Sequence, residues 1–102
     1  MMIEAKGVSL DLNSSVAMRE NTNIQFSVQE ARALELLMKN QGVLITHSMV
    51  ENYIKYACRK NIQLNDEKLL KRVFCKINCG FSKPVMQPIA ETGFIFLPED
   101  PC

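Results

Sequence analysis

A chain of 102 residues, 47% hydrophobic and 23% charged, is sized for one folded domain with a modest core, which excludes disordered, repetitive and multidomain chains. The formal net charge of +1 hides a segregation: between positions 55 and 83 eight basic residues meet only Asp66 and Glu67, a net +6, while the remainder carries −5, a local footprint for a polyanion. No apolar run approaches the roughly 18 residues of a membrane span, and the opening MMIEAKGV has none of the parts of a signal peptide, so the expected location is cytoplasmic with no membrane segment.

In chain order, Val8 to Leu12 alternates apolar and polar residues, and Val16 to Met18 and Asn23 to Phe26 are further β-prone pieces. Asn13-Ser14-Ser15 and Glu20-Asn21-Thr22 separate them, which predicts a small antiparallel meander with one face on the helices that follow. Ser27-Val28-Gln29-Glu30 is a capping box and opens a helix. Ala31, Leu34, Leu37 and Met38 form its buried side, Arg32, Glu35 and Lys39 its outer side, and Asn40-Gln41-Gly42 its stop. Val43-Leu44-Ile45 is a short apolar piece. A second helix follows, capped by Thr46 or by Ser48, with Val50, Tyr53, Ile54 and Ala57 turned inward and an end near Ala57 to Lys60. Thr46, His47 and Ser48 stand at its N-terminus, where free backbone N–H groups favour a phosphate.

The third helix, Leu64 to Phe81, divides most sharply into two faces. At about 100° per residue from Leu70, the side chains of Phe74, Ile77 and Phe81 fall within about 40° and Val73 within about 60°. Lys68, Arg72, Cys75 and Cys79 lie opposite, with Lys71 and Lys76 on the shoulders. Asn65 or Asp66 can cap the start, and Gly80 sits where the helix should stop. Beyond it, Lys83 adds a further cation, and two β-prone pieces around Ala90 to Gly93 predict a hairpin with Pro88 at an edge. Residues 98–102 read as a tail.

Cys58, Cys75, Cys79 and Cys102 lack the paired C-x-x-C spacing of a zinc site, and the one histidine, His47, is far from them, so free thiols and no metal are expected. Four residues apart on a helix, Cys75 and Cys79 hold their Cβ atoms about 5–6 Å apart, wider than the roughly 3.8 Å of a disulfide. A redox-sensing role for this pair is open at the level of sequence. No Gly-rich phosphate loop and no nucleophile paired with a base is present; neither an enzyme nor a cofactor is expected.

Several stretches bear a family likeness. Phe26-Ser27-x-x-Glu30-x-x-x-Leu34-x-x-Leu37-x-x-Asn40-x-Gly42 resembles the entry into and exit from the first helix of OmpR/ToxR/CadC-type winged helix-turn-helix regulators. Ile45-Thr46-His47-x-x-Val50, Leu70-x-x-x-Phe74-x-x-Ile77 and Met86-x-Pro88-Ile89-Ala90-x-x-Gly93-Phe94-x-Phe96 resemble its second-helix start, recognition helix and wing. The resemblance runs from about Val8 to Leu97. It implies an α+β winged-helix domain over 1–97, with a β-meander at 1–26, a three-helix core at 27–81 and a wing hairpin at 82–97.

The resemblance further implies a transcriptional regulator that binds double-stranded DNA. A recognition helix at about 66–79 would lie in the major groove and a wing at 86–96 in the minor groove. The implied DNA-binding residues are Lys68, Lys71, Arg72, Cys75 and Lys76, with Thr46, His47, Ser48, Lys83 and Thr92. The loop from Arg59 to Asn65 is the implied contact with RNA polymerase, and pairing of copies on repeated half-sites implies a homodimer on DNA. The chain is expected to be a stand-alone regulator or a fragment of a longer one. The alternative is a winged-helix module that binds another regulator or the polymerase without reading DNA, suggested by Asn78-Cys79 and the acidic wing tip Ala90-Glu91-Thr92.

Overall fold

Four short strands open the chain in the computed structural model, which describes residues 2–5, 7–58, 68–81, 85–90 and 92–97, without the side chains of 57 and 58. They are β1 (Met2–Ala5), β2 (Val8–Asp11), β3 (Val16–Arg19) and β4 (Thr22–Gln25), an antiparallel sheet in the order β1-β2-β3-β4. Val8 and Leu10 are fully buried, as their alternation predicts. The strand β1 adds to the three pieces legible in sequence. It pairs Ala5 with Val8, and that tight connection needs the positive φ of Gly7, +77°. At the other end, Gln25 Nε2 donates to the Ser14 and Phe26 carbonyls at 2.9 and 3.0 Å, and Phe26 N–H donates to the Ser15 carbonyl at 2.8 Å.

The capping box forms as the sequence predicts. In α1 (Val28–Lys39) the Glu30 N–H donates to Ser27 Oγ at 3.2 Å, and the Ser27 N–H donates to Glu30 Oε1 at 2.9 Å. Ala31, Leu34, Leu37 and Met38 are buried. Glu35 corrects the sequence reading, which put it outside: it is 2% exposed and forms ion pairs with Arg32 at 2.9 Å and Lys39 at 3.2 Å. It also accepts a hydrogen bond from Tyr53. Position 35 flanks the apolar stripe, and the second helix packs over that flank and brings the Tyr53 hydroxyl with it.

The two-residue strand β5 (Ile45–Thr46) leads directly into α2 (His47–Cys58). Thr46 is its cap, accepting from the Met49 N–H at 3.3 Å, and Ser48 falls inside the first turn. Val50 and Ile54 are fully buried. The helix α3 runs Leu69–Gly80, and Lys68 at its N-cap position makes no side-chain cap bond. The sequence-predicted caps Asn65 and Asp66, like the rest of 59–67, lie outside the described residues. Leu69, Leu70, Val73 and Ile77 are its buried residues, so Leu69 joins the expected stripe. Phe74 leaves the core centre and stacks on Phe94, with ring centroids 5.1 Å apart.

The chain closes with β6 (Met86–Ile89) and β7 (Gly93–Phe96), which pair Met86 with Phe96 and Ile89 with Gly93. The second sheet has the order β5-β7-β6, so Pro88 occupies an edge strand, where a missing N–H does no harm. Gly93 is demanded by packing, because a Cβ there would collide with the Ile45 carbonyl of β5. Gly42, at φ +78°, donates its N–H to the Phe96 carbonyl at 2.8 Å and so ties the exit of α1 to the hairpin. Leu10, Leu34, Leu37, Ile45, Ile54, Leu69, Ile77 and Phe96 bring both sheets and all three described helices into one buried cluster.

Candidate nucleic-acid interface

The outward face of α3 carries Lys71, Arg72, Cys75, Lys76 and Cys79, with Lys68 just before the helix, and all six are exposed. Lys68, Lys71, Arg72, Cys75 and Lys76 line a common shallow depression. Cys75 and Cys79 are free thiols. The helical period that buries Leu70, Val73 and Ile77 is what turns these polar positions out together.

Charge on this face is not all left to solvent. Glu30 of α1 reaches across: its Oε1 accepts from Lys76 Nζ at 2.9 Å, and its Oε2 pairs with Arg72 Nε at 3.4 Å. The Lys76 ammonium also stands 5.4 Å from the centroid of the Phe26 ring. Burial pushes the Glu30 carboxyl up, but Lys76 and the Ser27 N–H and hydroxyl together hold it below the ordinary carboxylate range. Sequence reasoning gave Glu30 only its capping role. A Glu three residues after a Ser carries no signal of a second partner 42 or 46 positions away.

A second concavity, about 490 Å³, separates α3 from the hairpin. Its lining includes His47, Lys71, Phe74, Pro88, Thr92 and Phe94. The structure therefore brings His47 and Thr92 together with Lys71, which among the described residues is the one shared by both concavities. Thr46 is half-buried and spends its hydroxyl on the cap, while Ser48 is exposed. His47 Nε2 stands 4.0 Å from Glu51 Oε2, and its buried Nδ1 has no hydrogen-bond partner among the described residues. Thr92 is exposed, and its N–H donates to the Ile89 carbonyl at 3.2 Å across the hairpin tip. Lys83, Glu91 and the loop 59–65 lie outside the described residues.

Asn78 has a structural role that its sequence neighbours do not mark. Its Oδ1 accepts from the N–H groups of Val85 and Met86 at 3.1 and 3.2 Å, and its Nδ2 donates to the Met86 carbonyl at 3.0 Å. One side chain thus pins the root of the hairpin to the last turn of α3. The edge polarity of β6 with an Asn eight residues upstream is too common a pattern to have given this away.

A leading antiparallel sheet, three helices and a closing hairpin beside the third of them define a winged helix-turn-helix fold of mixed α+β class. No protein-family profile matches the chain, and no curated protein matches it. Solved structures do. The DNA-binding domain of CpxR from E. coli matches with a TM-score of 0.65 at 12% identity, over 98% of this chain and 99% of that one. The C-terminal domain of the nisin resistance regulator NsrR, a lantibiotic response regulator, matches at 0.70 and 15% identity, over 94% and 95%. The Klebsiella pneumoniae RstA DNA-binding domain, solved in complex with the RstA box, matches at 0.64 and 13%, over 96% and 98%. The chain shares its fold with these domains along nearly its whole length, the architecture that the OmpR/ToxR/CadC-type resemblance implied.

Proposed function

We propose that this chain binds double-stranded DNA and serves as a transcriptional regulator of the OmpR/ToxR type. The observation that carries the reading is the exposed cationic face of α3 beside a hairpin, in a fold shared end to end with DNA-binding domains, one of them solved on its DNA. In this reading α3 enters the major groove with Lys68, Lys71, Arg72, Cys75 and Lys76 toward the duplex, Arg72 and Lys76 while paired with Glu30. The hairpin 86–96, with Thr92 near its tip, meets the adjacent minor groove, and Lys83, just before it in sequence, adds a cation. Lysine contacts release counterions and set register, whereas the Arg72 guanidinium suits a two-pronged contact with guanine. His47 and Ser48, with Thr46, serve the phosphate backbone at the start of α2. Two copies on repeated half-sites supply the selectivity one short helix lacks, and residues 59–65, between α2 and α3 in sequence, are the segment offered to RNA polymerase.

The salt dependence of duplex binding tests it. Binding should weaken steeply between about 50 and 200 mM salt, Lys68→Ala should weaken all duplexes alike, and Arg72→Ala should lower preference for the cognate duplex. A protein that ignores duplex DNA at every salt concentration would instead fit a second reading, a winged-helix module for a protein partner. Glu30, which already neutralises part of the α3 face, favours that reading.

A further inference from the structure

The contact between α1 and α3 carries an inference that rests on the DNA-binding reading and goes beyond it. The described part of α3 has no acidic side chain, and among the described residues the carboxylate that pairs with Arg72 and Lys76 comes from position 30, across the helix interface. Glu30 is 3% exposed, and the oxygen that accepts from Lys76 also accepts from the Ser27 N–H. The capping box therefore fixes the carboxylate on the end of α1, and the acid cannot follow its cations outward. Lys76 is drawn in toward that acid and the Phe26 ring, although its side chain is still 41% exposed. An ammonium paired in this way meets a phosphate either by leaving the carboxylate or by sharing its charge with it, and in both cases neutralises less than one whole phosphate charge.

We propose that Glu30 acts as a built-in phosphate surrogate: it holds Lys76 and the Arg72 guanidinium against α1, removing charge from non-specific attraction and fixing the pose of the face that meets DNA. Glu30 is then a positioning residue that sets the ratio of specific to non-specific binding. Without it, Lys76 becomes one more mobile cation. Each additional phosphate neutralised steepens the dependence of log affinity on log salt by about 0.9.

The test is a two-by-two cycle of Glu30→Gln and Lys76→Gln, read by fluorescence anisotropy on a random-sequence duplex and on a selected one, between about 50 and 200 mM salt. Glu30→Gln keeps the length of the side chain and an oxygen for the Ser27 N–H, and removes the charge. Its salt slope should steepen by about one ion, its affinity for random DNA should rise several-fold at the low-salt end, and the specific to non-specific ratio should fall. Lys76→Gln should remove that extra ion in the Glu30→Gln background and less than half as much in the wild type. Glu30→Asp, which keeps the charge but withdraws it from Lys76, should move the slope the same way by less, and it serves if Glu30→Gln melts below the assay temperature. Equal effects of Lys76→Gln in both backgrounds, or a slope that neither Glu30 variant changes, would overturn the proposal while wild-type binding leaves the DNA reading standing. A wild-type protein that retards no duplex even at low salt would overturn both.

Discussion

The amide of Asn78 satisfies two N–H groups at Val85 and Met86, both on buried residues, at the point where the chain turns from α3 into the hairpin. Leaving a buried N–H without a partner costs about 1–3 kcal/mol. Asn78→Ala removes the acceptor for both and the donor to the Met86 carbonyl, so a loss of about 2–4 kcal/mol is expected, measured as a lower urea midpoint. A midpoint equal to that of the wild type would mean that water replaces the amide without loss. In sequence this position reads as the flank of a helix, because nothing local distinguishes an Asn that faces solvent from one that faces the next strand. Glu35 poses the same problem. Its helical angle puts it beside the apolar stripe, and only the arrival of Tyr53, Arg32 and Lys39 makes burial of its charge tolerable.

Among the elements, α3 is placed from both ends. Toward the hairpin, Phe74 stacks on Phe94; toward the first sheet, Gly80 lies so close to Ile24 of β4 that a Cβ would collide with its Cδ1. The sequence marks Gly80 as a helix stop, and the helix does end there, but its φ is not among the positive ones. What the position requires is close approach. On helix propensity alone Gly80→Ala would gain up to about 1 kcal/mol. Overpacking against the Ile24 side chain costs about 1–3 kcal/mol, so the variant should be destabilised by up to about 2 kcal/mol. Trimming the colliding carbon with Ile24→Val in the same chain should recover most of that loss in a thermal melt. A Gly80→Ala protein that melts higher than the wild type would show that the propensity term outweighs the packing term at this contact.

At the scale of the molecule, α1 is the hub, and it carries a buried carboxylate at each interface: Glu30 toward α3 and Glu35 toward α2. Burial raises both, yet the ammonium, guanidinium, hydroxyl and N–H partners more than offset it, and both are held below the ordinary carboxylate range. A carboxyl whose folded pKa lies below its unfolded value contributes stability above the unfolded pKa, near about 4.3 for Glu, and loses it as pH falls through the folded value. Urea midpoints should therefore change little on account of these groups between about pH 7 and 5 and fall below about pH 4.3. Glu30→Gln and Glu35→Gln should each flatten the acid limb, and an acid limb unchanged in both variants would show that these carboxyls do not link folding to pH.

The order of strands and helices from Val8 onward, the Ser27 to Glu30 capping box and the two-faced third helix were legible in the chain itself, because each depends on neighbours within four residues, whereas β1 was not. So was the concentration of cations around that helix, which is a matter of counting. Tertiary structure alone decided where Glu30 and Glu35 send their charge, that Asn78 pins the hairpin, and that Gly80 and Gly93 are small for the sake of a neighbouring strand. Those contacts join separate elements, Glu30 to Lys76 across 46 positions, and no local period of apolar and polar residues encodes a partner at that distance.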